Sequence, residues 1–158
     1  MGRSVIDMGT DVSKSSLLKI AGNVVVVSFM EVICEAHVFA EKTGLGSSIL
    51  ENMLSDMFGP IIESYSKRVT TGAYAPPSGC KAGFDVRLAI KDGKHALDCA
   101  KEAGTRLEVS EVALRHLEQA NTAMGHRPLD SSSMYGAIRL EAGLDFFSDI
   151  CKQRDNSQ

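Results

Sequence analysis

The sequence predicts an all-α domain of six to seven helices, built on one long buried N-terminal helix and preceded by one short stray strand. Three observations predict it. Apolar residues recur at helical spacing over about 30 residues, from Lys14 to about Thr43. Helix-stopping glycines then fall at helix-length intervals, at Gly44 and Gly46, at Gly59 before Pro60, and at Gly104. The stretch "SVIDMG", Ser4 to Gly9, reads as a strand ending in a glycine turn, but it is too short to support a sheet alone.

The first helix opens at "SKSS", whose hydroxyls suit an N-cap. Val24 to Val27 is β-branched and fits a strand taken alone. The apolar pattern nevertheless continues through Phe29, Val32, Ile33, Ala36 and Val38 to Ala40 without turn residues, which favours a helix about 45 Å long. Apolar residues on nearly every face of its first half predict burial all round. "SSILENMLSDMFGPIIESYSKRV" predicts two short helices broken at Gly59 and Pro60, with Met53, Met57 and Phe58 in the core. Thr70 to Gly83 is loop. A helix starts near Asp85 and stops at Gly104, with Gly93 in its middle at a cost of about 1 kcal/mol against Ala, which suggests a packing role. The next helix is expected to be capped by Ser110, with Glu111 in its first turn. "RPLDSSSMYGAIRLEAGLDF" is a loop leading into a short last helix, and Lys152 to Gln158 is expected to fray.

At 158 residues, with 44% hydrophobic and 23% charged residues, the chain has the size and composition of one globular domain. A net charge of −3 without a basic block argues against nucleic acid as a partner. The four cysteines, Cys34, Cys80, Cys99 and Cys151, have no C-x-x-C spacing; they read as reduced thiols of a cytoplasmic protein, with Cys34 and Cys99 in helical core. The acidic N-terminal "MGRSVIDMGTDV" does not suit a secretory signal. Ile20 to Met30, 11 uncharged residues, falls short of the about 20 needed to span a bilayer, so no membrane partner is expected.

Lys19 and Asn23, at i and i+4, share one face of the first helix. A lysine entering an apolar site loses hydration, its pKa falls, and it becomes a usable general acid or base. An asparagine one turn away can orient a hydroxyl or carboxylate. Spacing alone favours the plainer alternative, a lysine snorkelling at a helix start beside a packed amide. Asp92 and His95, at i and i+3, could pair beside Lys91 and Lys94 on what otherwise reads as a solvated charged face. His37 reads as a satisfied, partly buried histidine, and neither His116 nor His126 has a partner at metal spacing, so no metal is expected. No P-loop, G-x-S-x-G elbow or dinucleotide glycine fingerprint is present.

The ordered set "VIDMG", "KIAGN", "FDVRLAIKDGKHALDCAKEAG" and "AMGHRPLDSSSMYGAI" resembles the β-hydroxyacid dehydrogenase family over about Val5 to Phe147. That family includes 3-hydroxyisobutyrate dehydrogenase, glyoxylate/succinic semialdehyde reductase and, more distantly, 6-phosphogluconate dehydrogenase. The resemblance implies a two-domain enzyme. A Rossmann domain binds NAD or NADP; a helical domain like the C-terminal domain of 6-phosphogluconate dehydrogenase closes the site and forms a homodimer. It places residues 1–13 at the remnant of the last Rossmann strand and turn, 14–151 in the helical substrate and dimerisation domain, and 152–158 in a tail.

By resemblance, Lys19 falls on the catalytic lysine and Asn23 on the substrate-orienting asparagine. Lys91 falls on the lysine that reaches cofactor and substrate, and Phe84 on an aromatic wall near the cleft. Asp92 falls on a structural aspartate that ties helices together. The implied substrate is a small-molecule hydroxy acid, or its aldehyde or keto form. Serines at positions 13 and 15, where the family carries glycines, would crowd the substrate. The alternative is a non-catalytic dimerisation module that keeps these residues by descent.

Overall fold

The computed structural model describes residues 4–77, 79–125 and 127–157; His126 lies outside them. Six α-helices follow in order: α1 (Val12–Thr43), α2 (Ser47–Thr70), α3 (Val86–Glu102), α4 (Glu108–Ala123), α5 (Met134–Glu141) and α6 (Asp149–Asn156). A 3-10 turn, Ser131–Ser133, leads into α5. The described residues contain no strand. Ser4 to Gly9 is irregular, and the Asp7 side chain accepts from the Gly9 N–H at 2.8 Å, so the segment closes on itself in an Asx turn. With no neighbouring strand, its backbone has nothing to pair with.

Helix α1 starts two residues earlier than expected because Asp11, rather than the serine cluster, caps it: Asp11 accepts from the Ser13 N–H at 2.9 Å. Its C-terminus stops at Gly44, with φ of 76°. The α2 axis breaks where expected, at Gly59 (φ 74°, ψ −170°) before Pro60. Asp85 caps α3. In α4, Ser110 is not the cap but a buried residue of the first turn, because the helix already begins at Glu108. The tail is helical rather than frayed. Arg154 in α6 donates to the carbonyls of Gly72 (3.1 Å) and Ala75 (2.8 Å), pinning the C-terminus to the loop after α2.

The core lies where α1 packs against α2, α3, α4 and α5. It is built from Met30, Cys34 and Val38 of α1, Val69, Val86, Ala89, Leu117 and Met134, with Tyr74 and Leu129 from the loops. Two buried polar hubs fix the connections. Asp130 accepts from the Phe84 N–H (2.9 Å), the Ser132 N–H (3.0 Å) and Arg68 (3.2 Å), holding the entry to α3 against the entry to α5. Tyr74 donates its hydroxyl to the Phe146 carbonyl (3.0 Å) and accepts from the Ser148 N–H (2.8 Å). Of the cysteines, Cys34 and Cys151 are buried, Cys99 is half-buried and Cys80 exposed, all as free thiols.

Burial of α1 differs from the expectation. One face is covered, while Leu18, Val25, Phe29, Val32 and Phe39 are between 44% and 64% exposed. Helices α2, α3, α4 and α5 cover the other face of α1. Met53, Met57 and Phe58 of α2, expected in the core, are likewise exposed because they point away from α1. By length and composition α1 could cross a bilayer. Here it is the central helix of the domain, with Glu31 and His37 buried in polar contacts to α4 and α2.

Candidate active site

The i, i+4 spacing of Lys19 and Asn23 sets both side chains toward α3, where Asp92 meets them. Lys19 Nζ donates to Asp92 Oδ2 at 2.8 Å, and Asn23 Nδ2 donates to the same oxygen at 2.6 Å. Lys91 Nζ pairs with the other oxygen, Oδ1, at 2.6 Å. One carboxylate therefore organises Lys19, Asn23 and Lys91. The Asp92 side chain is 13% exposed, while Lys19 and Lys91 are 63% and 69% exposed. Asp92 is held below the usual carboxylate range, first by the hydrogen bond from Lys19 and then by that from Lys91, against a smaller opposing effect of burial.

Lys19, Lys91 and Asp92 line an open cleft of about 400 Å³ together with Ser15, Ser16, Ile20 and His95, while Asn23 lies beneath it. Lys19 does not enter an apolar pocket as its sequence context suggests. The cleft is open, and both ammonium groups in it are largely exposed. The two serines at the family's glycine positions have other employment: Ser13 donates to Asp11 (2.6 Å), and the Ser15 hydroxyl turns back onto the Val12 carbonyl (2.8 Å). Beneath the cleft, α1, α3 and α4 close tightly around Gly93 and Leu114, leaving a gap of about 10 Å³.

Three of the four residues singled out from the sequence thus converge. Phe84 does not join them. It sits in the loop before α3, half-buried against the core with its N–H on Asp130, about 10 Å along the α3 axis from Lys91. Asp92 carries more than the helix-tying role assigned by resemblance, and its carboxylate takes Lys19, Asn23 and Lys91 rather than His95. No spacing rule could have joined Asp92 to Lys19, 73 residues away. No group of His, Cys, Asp or Glu among the described residues could hold a metal.

Two further histidines are structural. The His116 Nδ1–H donates to Glu31 at 2.5 Å, and Nε2 faces Glu141 at 3.3 Å, which staples α1, α4 and the end of α5. The His37 Nε2–H donates to Ser66 (2.8 Å), which donates to Glu51 (3.1 Å), linking α1 to α2. Burial pushes the His37 pKa down, which suits a neutral ring in this role.

Asp92 thus gathers Lys19, Asn23 and Lys91 beside an open cleft. Residues 14–138 match the family described as "NAD-binding of NADP-dependent 3-hydroxyisobutyrate dehydrogenase", and the chain belongs to that family. It is 32% identical over 134 residues to "NADH-dependent oxidoreductase ucdB" of Aspergillus ustus, covering 82% of this chain and 45% of that protein. It is 27% identical over 140 residues to "Uncharacterized oxidoreductase YfjR" of Bacillus subtilis (strain 168), covering 88% of this chain and 47% of the relative. The chain thus spans about half the length of the curated relatives it matches.

A nicotinamide cofactor is the family's redox partner. Lys91 presents an exposed ammonium to the cleft, and among the described residues no strand and glycine-rich turn lead into a helix that could seat a pyrophosphate.

Proposed function

We propose that this chain is the catalytic and dimerisation half of an NAD(P)-dependent oxidoreductase acting on a short β-hydroxy acid or the corresponding aldehyde or keto acid. The observation that supports it most is the convergence of Lys19, Asn23 and Lys91 on one carboxylate at an open cleft. Two ammonium groups share a single carboxylate there, which leaves about one positive charge for an anionic substrate. In this reading the cofactor, when bound, supplies or accepts the hydride. Lys19 gives a proton to the substrate oxygen on reduction and takes it back on oxidation, while Asp92, itself steadied by Asn23, holds its ammonium. Lys91 steadies the anionic end of substrate or cofactor.

The test is a chimaera that joins this chain to the N-terminal half of the Aspergillus ustus relative, assayed on short keto acids with NADH and NADPH in turn. Turnover with either cofactor is expected. A folded chimaera that binds cofactor yet oxidises neither would overturn the reading. The chain alone should bind either nucleotide weakly or not at all.

The same reading makes the chain a homodimer. Leu18, Val25, Val32 and Phe39 lie at seven-residue intervals along α1, exposed, with Phe29 between them. Such a repeat keeps an apolar seam on one side of a helix and suits packing against another helix. An exposed apolar patch of more than a few hundred Å² ordinarily marks an interface. Sedimentation is expected to give a dimer at micromolar concentration, and Val32→Asp should shift it to monomer. A wild-type monomer throughout that range would contradict the assignment.

A further inference from the structure

The cleft contains one side chain that the reaction outlined above does not use. His95 lies one helical turn beyond Lys91 on α3 and lines the same cleft as Lys19, Ser15 and Ser16. Its neighbour at i−3, Asp92, spends its two oxygens on Lys19, Asn23 and Lys91. Lys94, the adjacent cation, is drawn the other way, to Glu118 of α4 at 2.8 Å. Among the described residues the His95 ring forms no hydrogen bond or ion pair, and it is exposed. The two structural histidines differ sharply, each being buried and bonded to side chains of other helices. His95 therefore offers the cleft an uncommitted donor beside ammonium groups that already exceed their carboxylate partner.

Position defines what that donor can select. Residues four apart on a helix stand about 6 Å from one another. A substrate whose carboxylate is held at Lys91, with its reacting oxygen at Lys19, would bring a group one helical turn further along to the His95 ring. A second carboxylate would meet a donor there, in a cleft with surplus positive charge. An aliphatic end would meet the imidazole and leave it without a partner, at a cost to its binding.

We propose that His95 is a specificity-determining residue, selecting hydroxy acids that carry a second acidic group about one helical turn from the first. The proposal rests on the assignment of the Lys19 cleft as the substrate site, and the experiment separates the two. The 158-residue chain is titrated with acetate and with succinate, and the shifts of the Lys19, Lys91 and His95 side-chain resonances are followed by NMR. Succinate should bind at least about fivefold more tightly than acetate. His95→Ala should bring the two affinities to within about twofold without weakening acetate, and His95→Gln, which keeps a donor, should retain part of the preference. Lys19→Met should weaken both ions. A succinate preference untouched by His95→Ala, or no preference in the wild type, overturns the role of His95 while leaving the cleft assignment in place. Indifference of both ions to Lys19→Met overturns the cleft assignment itself.

Discussion

Asp92 shows how much of this site depends on one carboxylate. With Asp92 in place, two flexible lysines and an amide share one location; removed, each ammonium would be free to wander into solvent. His116 plays the corresponding part inside the fold. Burial pushes its pKa down, but the hydrogen bond and charge of Glu31 outweigh burial, and the net shift is upward. A raised folded pKa means that the contribution is fully present below the unfolded value of roughly 6.5 and is lost as pH rises through the higher folded value. His116→Gln should therefore cost about 3 kcal/mol near pH 6, since it leaves the Glu31 carboxylate buried without its cation. The gap to wild type should shrink toward pH 9. Thermal melts at a series of pH values check this, and a pH-independent gap would refute it. Neither pairing was visible in the sequence. Lys19, Asn23 and Lys91 could be picked out by motif and spacing, but the partner that Lys19 and Asn23 share, like that of His116, comes from another helix.

At the level of the helices, glycines decide how closely the elements approach. A Cβ at Gly93 of α3 would meet the Leu114 side chain at 3.4 Å, ordinary contact beside a small gap. Gly93→Ala should then stabilise the domain by up to about 1 kcal/mol through helix propensity. A Cβ at Gly136 of α5 would lie within 2.4–2.6 Å of the Phe146 ring, which is closed in by Tyr74 and Phe147. Gly136→Ala should destabilise by about 1–3 kcal/mol or more. Urea unfolding of both variants tests the pair, and equal effects would contradict this account of the packing. Glycine and proline also explain why helix ends were the most legible part of the sequence: Gly44, Gly59-Pro60 and Gly104 act through local backbone geometry. Burial was less legible. Apolar character told that the outer faces of α1 and α2 want cover, yet could not tell whether this chain or another supplies it.

For the molecule as a whole, the exposed apolar face of α1 and the open cleft are the two surfaces that the proposed dimer and the proposed cofactor domain would cover. Its all-α architecture followed from helical periodicity and the scarcity of strand patterns. Its chemistry was carried by the resemblance of "KIAGN" and "IKDG" to a family motif, because K-x-x-x-N alone is compatible with a plain helix start. The central claim is that Lys19 moves the proton. The most direct measurement is kcat for Lys19→Met in the chimaera proposed above, beside a direct measure of cofactor affinity. A lost general acid typically costs about 10²–10⁴-fold in rate. The account predicts a loss of kcat in that range with cofactor affinity unchanged. A variant that turns over within a few-fold of the parent would contradict it.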